Sequence, residues 1–83
     1  MERDTVLETL TQILRDVFDD DSLVATPELT AARVHGWDSL GNIRFFMEVE
    51  RAFSLRFSAT EIASLPNVGQ LAALIRERTR RQA

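Results

Sequence analysis

Apolar residues recurring at three- and four-residue steps constrain this chain more than any other feature. Val6, Leu7, Leu10, Ile13, Leu14, Val17 and Phe18 form one stripe along a helix predicted from about Arg3 to Phe18. Glu8, Arg15 and Asp16 fall on its other faces. Such a stripe is unstable alone in water and has to pack on partner helices. The chain has 83 residues and no cysteine, so those partners share one modest core without disulfides or thiolate metal sites. The expectation is a single domain, 1–83, of the all-α class.

Asp19-Asp20-Asp21-Ser22 stops the pattern and reads as a solvated loop start. A calcium loop is the sharper alternative, but the spaced oxygen ligands and central glycine of an EF-hand loop are missing. Residues 22 to 38 form a long connection, punctuated by Thr26, Pro27, Thr30 and Gly36. Leu23, Val24, Leu29 and Val34 are apolar enough to pin it to the bundle. A loop this long in a small domain is usually functional or tied down by its own contacts. Trp37 is expected to pack the loop's end against the helices.

Asp38 is a favoured N-cap, and an apolar-periodic segment follows it directly. A second helix is therefore predicted from about Ser39 to Phe53. Its inward face is read as Ile43, Phe46, Val49 and Phe53, with Phe45 bordering it. Gly41, Arg44, Glu48 and Arg51 are assigned to the solvent face, where Arg44–Glu48 and Glu48–Arg51 sit at weakly attractive spacings. Leu40 and Met47 fall at the boundary, as half-buried core or as docking contacts. Asn42 is expected to tie down the preceding loop with its amide.

Ser58-Ala59-Thr60-Glu61 has the form of a capping box, with Phe57 and Ile62 placed as a hydrophobic staple. Pro66 keeps this third helix short, about Ala59 to Leu65. Asn67 can cap a last helix with Val68, Leu71, Leu74 and Ile75 facing inward, fraying into an arginine-rich tail. The whole is a four-helix bundle, three longer helices and one short, with a long loop between the first and second.

Formal charge is −3, from thirteen acidic and ten basic residues, all of the latter arginine. Nucleic-acid binders show a basic stripe and a high pI, so this balance argues against that class. A helix-turn-helix would need the second helix as its reader, and mixed charge makes it a poor one. Arg76, Arg78, Arg80 and Arg81 cluster near the C-terminus, where offsetting the helix dipole is a sufficient account. No apolar run approaches the length that crosses a bilayer, and Met1-Glu2-Arg3-Asp4 does not open a signal peptide. The expectation is a soluble, cytoplasmic protein without membrane partners.

Catalytic groups are scarce. His35 is the only histidine, and there is no cysteine, tyrosine or lysine. Trp37-Asp38-Ser39-Leu40-Gly41 lacks the first glycine of a nucleophile elbow, and His35 has no companions for a metal. What remains is a serine at the first position of a helix. The free N–H groups and the dipole of a helix N-terminus suit a phosphate.

Asp38-Ser39-Leu40 in this setting resembles the attachment site of acyl carrier proteins, and the likeness covers nearly the whole chain. It is densest from Gly36 to Phe53, with Glu50 and Phe53 ending the helix as in many members. The resemblance implies a carrier and not an enzyme. Ser39 would bear covalent 4′-phosphopantetheine from coenzyme A, Asp38 would help present it to a phosphopantetheinyl transferase, and Leu40 would contact partner enzymes. Acyl groups would travel as thioesters between loading and processing enzymes, on a carrier acting as a monomer.

The second helix departs from the fatty-acid synthesis members, whose docking helix is strongly acidic. Gly41 follows Leu40 where an acidic residue is common, and Arg44 and Arg51 interrupt the acidic stripe. Like-charge contacts reject wrong partners, so the expectation is a specialised carrier of a fatty-acid-like, polyketide or other dedicated pathway. Leu40, Arg44, Met47, Glu48 and Arg51 are its candidate partner-recognition residues. Two alternatives stay open. One is a peptidyl or aminoacyl carrier, whose members more often show Gly-Gly-His or Gly-Gly-Asp before the serine. The other is an unmodified helical interaction domain.

Overall fold

The computed structural model describes residues 5–82. Its elements are α1 (Thr5–Phe18), a 3₁₀ turn (Ala31–Arg33), α2 (Ser39–Phe53), α3 (Ala59–Ala63) and α4 (Val68–Gln82). The expected order and all-α class are observed, and no strand occurs among the described residues. The predicted start of the first helix at Arg3 lies outside those residues, as does the side chain of Arg81.

The core forms where the stripes meet. Leu10 and Leu14 of α1, Phe45 and Val49 of α2, and Ile75 of α4 are its largest fully enclosed side chains. Fully burying such a residue contributes about 1.5–3 kcal/mol. No helix is long and apolar enough to cross a membrane.

α1 ends at Phe18 because Asp19 takes a left-handed conformation, φ 51°. The loop that follows is held by polar bonds as well as by apolar contact. Thr11 Oγ1 donates to the Leu7 carbonyl and accepts from the Ala25 N–H, both at 2.9 Å. Arg15 Nε donates to the Leu23 carbonyl at 2.8 Å. Leu23, Leu29 and Val34 pack inward as expected, whereas Val24 is 52% exposed and pins nothing. Farther on, the carbonyls of Leu29 and Pro27 accept from Val68 N–H (2.9 Å) and Gly69 N–H (3.0 Å). These are the first amides of α4, which no helix can satisfy internally. Asn67 Oδ1 accepts from Gln70 N–H at 2.9 Å and completes that end.

α2 has its predicted bounds, but its buried face is turned from the expected one. Phe45 is 1% exposed and central, not bordering, while Ile43 is 56% exposed and points outward. Gly41, assigned to the solvent face, is buried. A Cβ there would lie 2.9 Å from the Phe18 ring edge and 3.0 Å from the Gly36 carbonyl, so only glycine lets them approach.

The capping box of α3 is present, with Ser58 Oγ accepting from Glu61 N–H and Glu61 accepting from Ser58 N–H. The helix stops at Ala63, short of Leu65, because Pro66 disfavours helical backbone in the residue before it. α4 remains helical to Gln82 rather than fraying earlier. Val68, Leu71, Ala72 and Ile75 are buried along it, and Leu74 is half-buried.

Arg78 does more than offset a dipole. It donates to the Arg56 carbonyl at 2.7 Å and to the Glu61 carboxylate, and it lies over the Phe57 ring.

The start of the second helix as a candidate functional site

Asp38 enters α2 from extended backbone, and its Oδ1 accepts from the Gly41 N–H at 2.8 Å. Its carbonyl accepts from Asn42 N–H at 2.9 Å. Two of the first amides are thereby satisfied. Those of Ser39 and Leu40 have no protein acceptor among the described residues. Ser39 occupies the first helical position and is exposed, so its hydroxyl stands beside those free donors at the positive end of the helix.

The ground beneath the serine is packed. Trp37 stacks on Phe18 with ring centroids 4.9 Å apart and meets Phe45 at the same distance. Its Nε1 donates to Asn42 Oδ1 at 2.9 Å, the loop tie expected of that amide. With Gly41 wedged under Phe18, the last residues of the loop are fixed relative to the first turn. His35 is exposed, and among the described residues no group of His, Cys, Asp and Glu could hold a metal ion.

The remaining candidates lie along the outer side of α2. Leu40 and Met47 are 64% and 61% exposed, outside the core rather than at its boundary. Ile43, three residues after the first and four before the second, extends the same apolar stripe. Its apolar side chain fits a core position equally well, and only its three- and four-residue spacing from Leu40 and Met47 marks it in the sequence. Arg44, Glu48 and Arg51 are exposed beside the stripe, and Glu48 pairs with Arg51 at 3.8 Å. Between α1 and α2 runs a groove of about 480 Å³, lined by Ile13, Asp16, Val17, Arg44, Met47 and Glu48. Glu50 has a structural task instead, accepting the Phe57 N–H at 2.8 Å across the turn into α3.

The site thus combines a solvent-facing hydroxyl, unsatisfied amides at a helix start and a rigid aromatic footing. A phosphate ester at the hydroxyl would lie beside donors that the protein leaves free. The family model described as a phosphopantetheine attachment site matches residues 8–75. The chain is also similar to the solution NMR structure of a holo acyl carrier protein from Geobacter metallireducens. There the TM-score is 0.86 and the identity 39%, covering 93% of this chain and 88% of that one. No curated protein matches the sequence.

Proposed function

Because the chain belongs to the family of phosphopantetheine-bearing acyl carrier proteins, we propose that Ser39 is the residue that bears its cofactor. The observation carrying this reading is the exposed Ser39 hydroxyl beside two amides without protein acceptors at the start of α2. Members of this family are carriers, not enzymes, with covalently attached 4′-phosphopantetheine, and they work with modifying and acyl-processing enzymes. When attached, the group supplies a terminal thiol that holds acyl cargo as a thioester.

The chain's own residues present that group. Ser39 Oγ is the nucleophile toward the phosphorus of coenzyme A. It loses its proton as the new P–O bond forms, and adenosine 3′,5′-bisphosphate leaves. Asp38 fixes the first turn through the Gly41 amide, and the Ser39 and Leu40 amides are positioned to stabilise the resulting phosphodiester. Trp37, Phe18 and Phe45 keep the loop from moving with the load.

The outer side of α2 is the partner-docking face in this reading, with Leu40, Met47 and Ile43 as apolar contacts. Arg44, Glu48 and Arg51 set its charge order. Two arginines on such a face oppose a partner built for a wholly acidic helix, which supports a dedicated polyketide or other specialised pathway. Normal loading by general fatty-acid synthesis enzymes in vitro would count against that pathway assignment. The same reading makes the chain one carrier domain, monomeric and cytoplasmic, to be checked by sedimentation and cell fractionation.

Intact mass after incubation with coenzyme A, magnesium and a broad-specificity phosphopantetheinyl transferase tests the attachment. The expected gain is roughly 340 Da, one arm transferred whole, and it vanishes in Ser39→Ala. A folded protein that gains nothing with several transferases is instead an unmodified interaction domain.

A further inference from the structure

Neither the hydroxyl nor the amide of Ser39 is bonded to another described residue. Where its oxygen stands is therefore decided by the residues before and after it. Three bonds join those two sides. Asp38 Oδ1 accepts from Gly41 N–H at 2.8 Å, and the Asp38 carbonyl accepts from Asn42 N–H at 2.9 Å. Both belong to the start of any capped helix. The third does not. Trp37 Nε1 donates to Asn42 Oδ1 at 2.9 Å, side chain to side chain, and closes a clasp around the serine. At α4 the residue before the cap is Pro66, which has no donor to close such a clasp.

The clasp is anchored on both sides. The indole stacks on Phe18 of α1 and tilts against Phe45 of α2, with ring centroids 4.9 Å apart in each case. Asn42 is half-buried, so packing helps to hold its amide in place. Stacking fixes a flat ring along its normal but lets it slide and turn in its own plane. The bond to Asn42 removes that motion. Turning the indole would carry the Trp37 backbone, and with it Asp38 and Ser39. A half-buried indole N–H needs an acceptor in any case. If satisfying it were all that Asn42 did, breaking the bond would lower stability and leave Ser39 equally reactive.

We infer that Asn42 is a positioning residue for Ser39: through the Trp37 indole it fixes where the serine oxygen stands when the phosphorus of coenzyme A arrives. This rests on Ser39 being the attachment residue. Transfer needs the nucleophile at a narrow range of distance and angle, and a misplacement of about 1 Å can cost about a hundredfold in rate. Asn42 lies three residues past the serine and acts only through Trp37.

Single-turnover transfer from coenzyme A to the full chain, read by intact mass with a broad-specificity phosphopantetheinyl transferase in varied excess, tests it. Asn42→Leu keeps the bulk and removes the acceptor, whereas Trp37→Phe keeps a ring and removes the donor. In each, the maximal rate should fall roughly tenfold, while the half-saturating transferase concentration stays within about twofold. The doubly altered chain should be no slower than the slower single variant, because both changes break one bond. Asn42→Gln, which keeps an amide oxygen, should recover most of the rate. Every chain is assayed below its melting temperature, and either single variant suffices if the other does not fold. An unchanged maximal rate in a folded variant, whatever its melting temperature, overturns the positioning role and leaves Ser39 as the attachment residue. A loss confined to half-saturation does the same, since it makes Asn42 a docking contact. An unaltered chain that gains no arm, or a Ser39→Ala chain that gains one, overturns the attachment itself and the clasp with it.

Discussion

α2 and α4 begin in nearly the same way and are finished differently. Each has an Asx residue accepting from the third helical amide, Asp38 from Gly41 and Asn67 from Gln70. Each has a glycine within its first turn, packed where a Cβ would collide. At α4 the loop supplies the Leu29 and Pro27 carbonyls to the first two amides. At α2, into which that same loop runs, the corresponding amides of Ser39 and Leu40 receive nothing from the protein. A sealed start and an open start therefore coexist in one small bundle. The sealed one anchors the loop, while the open one keeps its donors available for an anion, which underlies the assignment of Ser39.

The largest contrast comes from the two ends' side chains. Ser39→Ala should abolish the mass gain completely and leave stability within about 0.5 kcal/mol, as for an exposed site away from caps and core. If Ser39→Ala still gains the arm, the open start is not the attachment site.

Next are the glycines. Gly69→Ala would place a Cβ 2.9 Å from the Pro27 carbonyl and 3.1 Å from its ring, forcing loop and helix apart. Overpacking of this kind typically costs about 1–3 kcal/mol, read here by urea unfolding. Gly41→Ala meets the Phe18 ring edge and the Gly36 carbonyl, so it too should destabilise, despite the helix propensity of about 1 kcal/mol that alanine adds. A stabilised Gly41→Ala would show that the ring yields freely.

The caps should be nearly equal. Asp38→Ala and Asn67→Ala each remove one side-chain acceptor and should cost about 1 kcal/mol, whereas Asp38→Asn should keep most of the stability. A much larger loss at Asp38 would mean that its carboxylate does more than cap.

The smallest effect concerns the opposite polarity, just past the C-terminal end of α1. The Asp20 carboxylate accepts from the Ser22 hydroxyl at 2.6 Å and from its N–H at 2.9 Å. These bonds, the hydroxyl's first, hold its pKa below the ordinary 3.8. A depressed folded pKa means a contribution complete above the unfolded value and lost as pH falls through the lower folded one. Asp20 lies at the surface, so the gain is slight. An NMR titration should find its midpoint below the usual value, returning upward in Ser22→Ala.

Local signals made the helix starts legible. Asp38, Ser58 and Asn67 each announce a start through a side chain bonding three residues ahead, so capping chemistry could be read directly. The phase of α2 could not. Leu40, Ile43, Phe45, Phe46, Met47, Val49 and Phe53 put apolar groups around most of its circumference, and periodicity alone did not select the buried arc. What selects it is contact across the fold: Phe18 pressing on Gly41, and Trp37 bonding Asn42. The hold of Arg78 on Glu61 was invisible for a related reason. Seventeen residues separate the pair, and nothing in an arginine-rich tail marks which arginine turns inward. Thr11 likewise reads as an ordinary helix residue until the loop returns to meet its hydroxyl.

Trp37 carries one more consequence. It is the chain's single tryptophan, and there is no tyrosine. Long-wavelength ultraviolet emission therefore arises from one indole, stacked on Phe18 and bonded to Asn42 two positions before Ser39. The protein comes with its own optical reporter at the open helix start, and events there can be timed in unlabelled material.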